Sequence, residues 1–187
     1  MLKFQEKAVV MNEVTARRAI ERMAYEIMEK EKEMHHLVLI GIQTRGVALA
    51  RAIAQKIKEA EGMTVPVGSL DITFYRDDLT MLSEHPVIRG NDIAFPVQDK
   101  RIVLVDDVLY TGRTIRAAIE ELFDMGRPAK IELAILVDRG HRELPIRADY
   151  IGKHAPTSKE EYIEVEMNEQ NKVQKVSICS KGDKAHD

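Results

Sequence analysis

The chain has 187 residues, 44% of them hydrophobic and 32% charged, which is the make-up of a globular domain with a sizeable core and excludes a disordered or fibrous chain. A formal net charge of −3 supplies no general attraction to nucleic acid, so any such binding must come from a local patch. The lone Cys179 excludes an internal disulfide, no apolar run approaches the ~20 residues of a membrane span, and Lys3, Glu6 and Lys7 interrupt the start before a signal-like segment forms. The expectation is one cytoplasmic domain over 1–187 with no membrane partner.

In chain order, Asn12 is placed to cap a helix that runs to about Glu31. Ala16, Ala19, Ile20, Met23, Ala24, Ile27 and Met28 recur on its inner face, while Arg17, Arg18, Glu21, Arg22, Tyr25 and Glu26 fall largely outside. LVLIGI (37–42) is a strand buried on both faces. Gln43, Thr44, Arg45 and Gly46 then turn into a helix over 47–59, where Arg45, helped by Thr44, is placed either to meet an anion or to make a surface salt bridge. Residues 65–75 read as a strand. The stretch 76–100, with Pro86, Gly90 and Pro96, is long for a connection, and reads as a lid hinged at Arg76, Asp77 and Asp78 or as a hairpin with a charged tip.

Residues 101–119, RIVLVDDVLYTGRTIRAAI, carry the sharpest signal. Ile102, Val103, Leu104 and Val105 form a β-branched apolar run; Asp106 and Asp107 stop it; Thr111, Gly112, Arg113 and Thr114 lead into a helical pattern of Ile115, Ala118, Ile119 and Leu122. Strand, polar turn, helix suits a phosphate, because backbone N–H groups and the positive end of the dipole meet it at the helix start. The two carboxylates repel phosphate and are better placed to accept hydrogen bonds from vicinal hydroxyls or to sit near a divalent metal. Phosphate beside paired hydroxyl acceptors describes a ribose 5-phosphate; a solvated acidic turn with a Thr cap is the bland alternative. The spacing fits neither a Walker A loop nor GxGxxG. The helix ends at Gly126, Ile131 to Val137 gives another buried strand, and 162–167 with 173–179 forms a late hairpin before a polar tail at about 181–187. The stretch between 138 and 154 reads as a basic loop, but its formal excess is one positive charge, too little by itself to mark an RNA site.

VLVDDVLYTGRT (103–114) closely resembles the phosphoribosyl-pyrophosphate (PRPP) loop of type I phosphoribosyltransferases. GIQTRG (41–46), DITFYRDDL (71–79) and LVDRGHRELPIRADYIGK (136–153) resemble one family in particular, the bifunctional pyrimidine-operon attenuation regulator and uracil phosphoribosyltransferase, from about Ala8 to about Val165. The resemblance implies an α/β fold: an open, mainly parallel sheet flanked by helices, with a small hood and a flexible lid loop at about 76–100. It implies UMP formation from uracil and PRPP, with Mg²⁺ carried mainly by substrate oxygens and no metal held by the protein alone.

By the same resemblance PRPP is held by Thr44, Arg45, Asp106, Asp107, Val108, Leu109, Tyr110, Thr111, Gly112, Arg113 and Thr114. Arg45, Asp106, Asp107 and Arg76 serve the reaction, and a non-proline cis peptide falls where Thr44 meets Arg45. Uracil lies near Val137, Asp138, Arg139 and Ile163. A messenger RNA hairpin of a pyrimidine operon is bound in response to UMP through Arg22, Arg142, Arg147 and Lys153, by a homodimer or higher homo-oligomer. Helix one departs from the family pattern: Glu21 and Tyr25 stand where relatives carry a small hydroxyl and a histidine. The competing enzyme reading is a 6-oxopurine phosphoribosyltransferase without RNA binding. Its loop carries an acid immediately before Thr-Gly, where this chain has Tyr110.

Overall fold

The computed structural model describes residues 4–30, 34–72 and 90–181. Arg76, the hinge of the expected lid and the residues of the tail beyond 181 lie outside the described residues.

The centre is a five-stranded parallel sheet built from β2 (Leu37–Ile42), β3 (Val67–Leu70), β4 (Arg101–Leu109), β5 (Lys130–Asp138) and β6 (Tyr150–His154), in the order β3-β2-β4-β5-β6. Alternation sorts the side chains of its central strands to two cores. Leu37, Leu39, Val103, Val105, Ala134 and Leu136 face α1 (Glu13–Glu29) and α2 (Arg45–Glu61), while Val38, Ile40, Leu104, Leu133 and Ile135 face α3 (Arg113–Met125). Burial on both faces is why these strands read as continuous apolar runs. β2 sends the chain to β3 on one side and β4 lies on its other side, so the order of strand addition reverses between β2 and β4, where open α/β sheets bind ligands.

A second, antiparallel sheet in the order β1-β8-β7 forms the hood, from β1 (Phe4–Asn12), β7 (Glu161–Met167) and β8 (Val173–Lys181). Val165, Val173 and Val176 seat it on the α1–α2 core. Asn12 caps α1 as expected, its side chain accepting from Thr15 N at 2.9 Å while Thr15 returns the bond. Helix α1 ends at Glu29, two residues short of Glu31, and α2 begins at Arg45 and not at 47.

The segment before Asn12, to which the sequence pattern assigned no element, is a strand, β1, which pairs with β8 at the far end of the chain. Two expectations need correction. Tyr150 to His154, read as part of a basic loop, is the edge strand β6. The expected lid does not extend to residue 100: Asp92 bridges Ser69, Asn91 joins Asp71 N at 2.9 Å to Glu121 at 2.8 Å, and Val97 is buried, so 90–100 belongs to the body.

Candidate active site and the basic loop

A cleft of about 830 Å³ opens at the switch between β2 and β4, and every residue expected to hold PRPP lines it. One wall is Thr44 and Arg45, at the start of α2; the other is the run from Asp106 to Thr114, where β4 passes into α3. The walls come close because Gly46 has no side chain: a Cβ there would lie 2.3 Å from Val105 O. Across the gap Arg45 Nη1 sits 3.6 Å from Asp107 Oδ2, so the cation and the carboxylate neutralise one another until a ligand offers each a different partner. Asp106 is largely buried, and its Oδ1 accepts from Asp107 N at 2.9 Å, which fixes the angle at which both acids leave the strand. The non-proline cis peptide joins Gln43 to Thr44, one bond before its expected place.

At the phosphate end Gly112 adopts φ +95°, a left-handed conformation natural to glycine, and no side chain caps α3 there. Beyond Arg113, its first-turn N–H groups, which lack intrahelical acceptors by position, are left for an anion. Arg113 N reaches Thr111 Oγ1 at 3.3 Å, and its guanidinium pairs with Glu143 at 2.7 Å on the surface.

At the expected base end, Ile163 from the hood lines the cleft, together with Met167 and Asn171, which were not anticipated. These arrive on the β7–β8 hairpin, far along the chain, and no local pattern marks them. Val137, Asp138 and Arg139 do not line the cleft. Val137 is fully buried in the sheet, Asp138 pairs with Arg142, and Arg139 N is taken by Leu109 O at 3.1 Å. The Arg139 guanidinium lies 4.0 Å over the Tyr110 ring and donates to Thr157 Oγ1, Ser158 O and Glu161 O. Burial pushes its pKa down, opposed by Tyr110 and Glu161. His141 packs edge-on to Tyr110 at 5.9 Å and bonds Thr157 O. Arg139 thus ties the hood's entry segment to the PRPP loop through Tyr110.

The four cations expected to meet RNA divide in two. Arg142 is only 23% exposed and its guanidinium is spent on protein acceptors: Ile146 O at 3.0 Å, Tyr110 O at 2.7 Å, Leu109 O and Gly140 O at 3.4 Å, and the Asp138 carboxylate. Arg22 donates to Ile151 O and Gly152 O at 3.0 and 2.7 Å and pairs with Glu26, and Lys153 reaches Val10 O at 3.0 Å, but both stay exposed. Arg147 is exposed with no ion pair or hydrogen bond among the described residues, at the rim of a second pocket of about 550 Å³ that also includes Arg142, Ile146 and His154. Glu21 lies near Lys56 of α2 and Tyr25 is half exposed.

A parallel sheet whose switch point is flanked by an Arg-bearing helix start and an acidic strand-to-helix turn defines a phosphoribosyltransferase, and residues 11–170 match the phosphoribosyl transferase domain family. The chain is 61% identical over 173 residues to the bifunctional protein PyrR of Acetivibrio thermocellus, covering 92% of this chain and 94% of that one. It is 54% identical over 179 residues to the protein of the same name from Bacillus mycoides, covering 95% and 99%. The chain belongs to the bifunctional PyrR family of phosphoribosyltransferases. Among solved structures, a hypoxanthine phosphoribosyltransferase from Trypanosoma cruzi superposes with a TM-score of 0.72 at 17% identity, covering 92% of this chain and 95% of that one; the likeness concerns the fold alone.

Proposed function

We propose that this protein transfers ribose 5-phosphate from PRPP to uracil, giving UMP and pyrophosphate, and that it regulates a pyrimidine operon by binding its messenger RNA in response to UMP. The observation that carries the enzyme half is the cleft itself, with a helix-start cation at one end and a carboxylate pair followed by an uncapped helix N-terminus at the other. The 5-phosphate lies on the Thr111–Thr114 turn, the ribose hydroxyls donate to Asp106 and Asp107, and the diphosphate takes Arg45 from its ion pair. The bond from the anomeric carbon to a pyrophosphate oxygen breaks, a uracil ring nitrogen takes its place, and that nitrogen's proton is released. No nucleophilic side chain is needed. The protein contributes by positioning both reactants and by meeting the charge that gathers on pyrophosphate.

Mg²⁺ fits this donor set as a substrate-borne ion. Diphosphate and ribose oxygens would carry it, and Asp106 and Asp107, hard carboxylates lining the same cleft, would be the residues placed to help hold it. When bound it neutralises the departing diphosphate. Tyr110 favours a pyrimidine over a 6-oxopurine, because a phenol stacked under Arg139 is no anionic acceptor for a purine ring. Arg147, Arg22 and Lys153 supply the RNA face on an oligomer in the cytoplasm. The experiment is nucleotide and pyrophosphate formation from PRPP and each of uracil, hypoxanthine and orotate with Mg²⁺, run beside retention of a pyrimidine-operon hairpin and a scrambled hairpin with and without UMP. Equal or better turnover of hypoxanthine overturns the substrate, and equal retention of the two hairpins overturns the regulator.

A further inference from the structure

We infer that Arg142 is not an RNA ligand but the link through which nucleotide in the cleft sets the position of the RNA-facing loop, with Arg147 as the cation that loop presents. The inference rests on the regulator reading above. Its basis is where the Arg142 guanidinium spends its donors. Two acceptors, Leu109 O and Tyr110 O, belong to the PRPP loop; Ile146 O belongs to the residue before Arg147; Gly140 O and the Asp138 carboxylate lie at the root between them. One planar cation therefore spans both loops, with each of its three nitrogens donating to the protein.

The same two loops are joined twice more. Thr111 O accepts from Glu143 N at 3.0 Å and Leu144 N at 3.2 Å, and Ile146 packs so closely on Gly112 that an added Cβ would sit 3.3 Å from its Cδ1. The turn that grips the 5-phosphate and the loop that carries Arg147 are thus one stitched unit. A nucleotide that pulls Tyr110–Gly112 to its phosphate must move residues 143–147 with it, or spend part of its binding energy breaking these bonds. Occupancy of the cleft then alters where Arg147 stands, and by linkage RNA held at Arg147 alters nucleotide affinity by the same factor.

Arg142→Lys separates the two roles, because it keeps the charge and loses the planar fork that reaches five acceptors. Hairpin affinity is measured against salt with and without UMP, and UMP affinity with and without saturating hairpin, for the parent, Arg142→Lys, Arg147→Ala and Ile146→Ala. UMP enhances hairpin binding in the parent, by a factor within the ~5–150-fold usual for coupled sites. In Arg142→Lys the enhancement falls to within about twofold of unity, as does the reciprocal tightening of UMP, while the salt slope stays at the parent value. Arg147→Ala flattens the slope by about one phosphate's worth, ~0.7–0.9, in both states. Ile146→Ala, which removes no charge, loses enhancement without slope and decides the matter should Arg142→Lys fold poorly. Full enhancement in both Arg142→Lys and Ile146→Ala, or a flattened slope in Arg142→Lys, overturns the link and leaves the regulator reading intact. A parent that binds hairpin equally with and without UMP overturns both.

Discussion

Gly46→Ala tests whether the distance between the two walls of the cleft sets the rate. A methyl there would lie 2.3 Å from the carbonyl oxygen of Val105 and 3.2 Å from the Cα of Asp106, so the start of α2 and the end of β4 must part by about 0.7–1.1 Å to reach the 3.0–3.4 Å at which real Cβ contacts begin. Neither side yields cheaply, since one is a helix start and the other the middle strand of the sheet. The parting carries Thr44 and Arg45 away from Asp106 and Asp107. A 1 Å misplacement of positioning groups costs on the order of 10²-fold in rate, so kcat/KM for PRPP should fall by about that factor. Stability should change less: overpacking costs about 1–3 kcal/mol, and the helix preference of Ala over Gly returns about 1 kcal/mol. Initial rates of UMP formation across a range of PRPP, beside urea denaturation, measure both. Gly62→Ala is the control. It forces a methyl onto φ +70° at the other end of α2, where nothing lies within 4 Å, and should lose about 1–2 kcal/mol of stability while keeping its kinetics. A folded Gly46→Ala enzyme within threefold of the parent in kcat/KM would refute the reasoning.

The double substitution Asp106→Asn, Asp107→Asn keeps shape and removes the charged acceptors; at about 1.5–3 kcal/mol for each charge-assisted hydrogen bond, PRPP use should fall by roughly 10²–10⁴-fold with the fold intact, and unchanged kinetics would count against the ribose role. Arg139→Ala releases Thr157, Ser158 and Glu161 from the Tyr110 side of the cleft; the KM for uracil should rise well before that for PRPP, and an equal rise in both would argue against a hood-specific effect. Glu132 is buried against Arg101 at 2.6 Å at the opposite end of the sheet. Burial alone would raise its pKa, but hydrogen bonds from Lys130 and Arg101 hold it below the usual carboxylate value. A depressed folded pKa stabilises above the unfolded value and is lost as the pH falls through the folded one, so acid should weaken the parent below the ordinary carboxylate range. Glu132→Gln should lose that acid dependence and about 3–5 kcal/mol at neutral pH, read by urea denaturation across pH, with kcat/KM at neutral pH near the parent's; an unchanged pH profile would refute the assignment.

The sequence was most legible where local pattern and tertiary burial agree. β2, β5 and α3 stand at or within one residue of their expected limits, because strands buried on both faces must be apolar throughout and a glycine ends the helix. β4 instead runs through Asp106 and Asp107 to Leu109, four residues past the apolar run that marked it, because strand pairing with β5 continues beyond the buried side chains. β1 was hidden because FQEKAVVMN has no clean alternation, Val9 faces solvent, and its partner β8 lies at the other end of the chain. β6 was hidden because YIGKH is short, mixed and at an edge. The PRPP residues were readable because strand, turn and helix deliver them in one continuous run. Met167 and Asn171 were not, since only the folding of the hairpin over the cleft makes them neighbours. Side-chain direction was the deepest gap: charge counting treats Arg142 and Arg147 alike, while the structure places one inward among carbonyls and the other in solvent.

That asymmetry changes how an RNA face on a chain of net charge −3 must work. With Arg142 consumed by the protein, and Arg22 and Lys153 each already holding a carbonyl, one subunit offers few uncommitted cations, and affinity from counterion release alone would be modest. Two routes remain for raising it. One is repetition, since a homo-oligomer would present the same small face more than once and turn a weak contact into avidity. The other is shape: a pocket of about 550 Å³ beside Arg147 and the half-exposed ring of Tyr25 on α1 suit unstacked bases better than a phosphate backbone. A face built that way depends less on charge, so Glu21 costs it little, and it gains the property a regulator needs. Its affinity depends on where one loop stands, so the nucleotide in the cleft can set it.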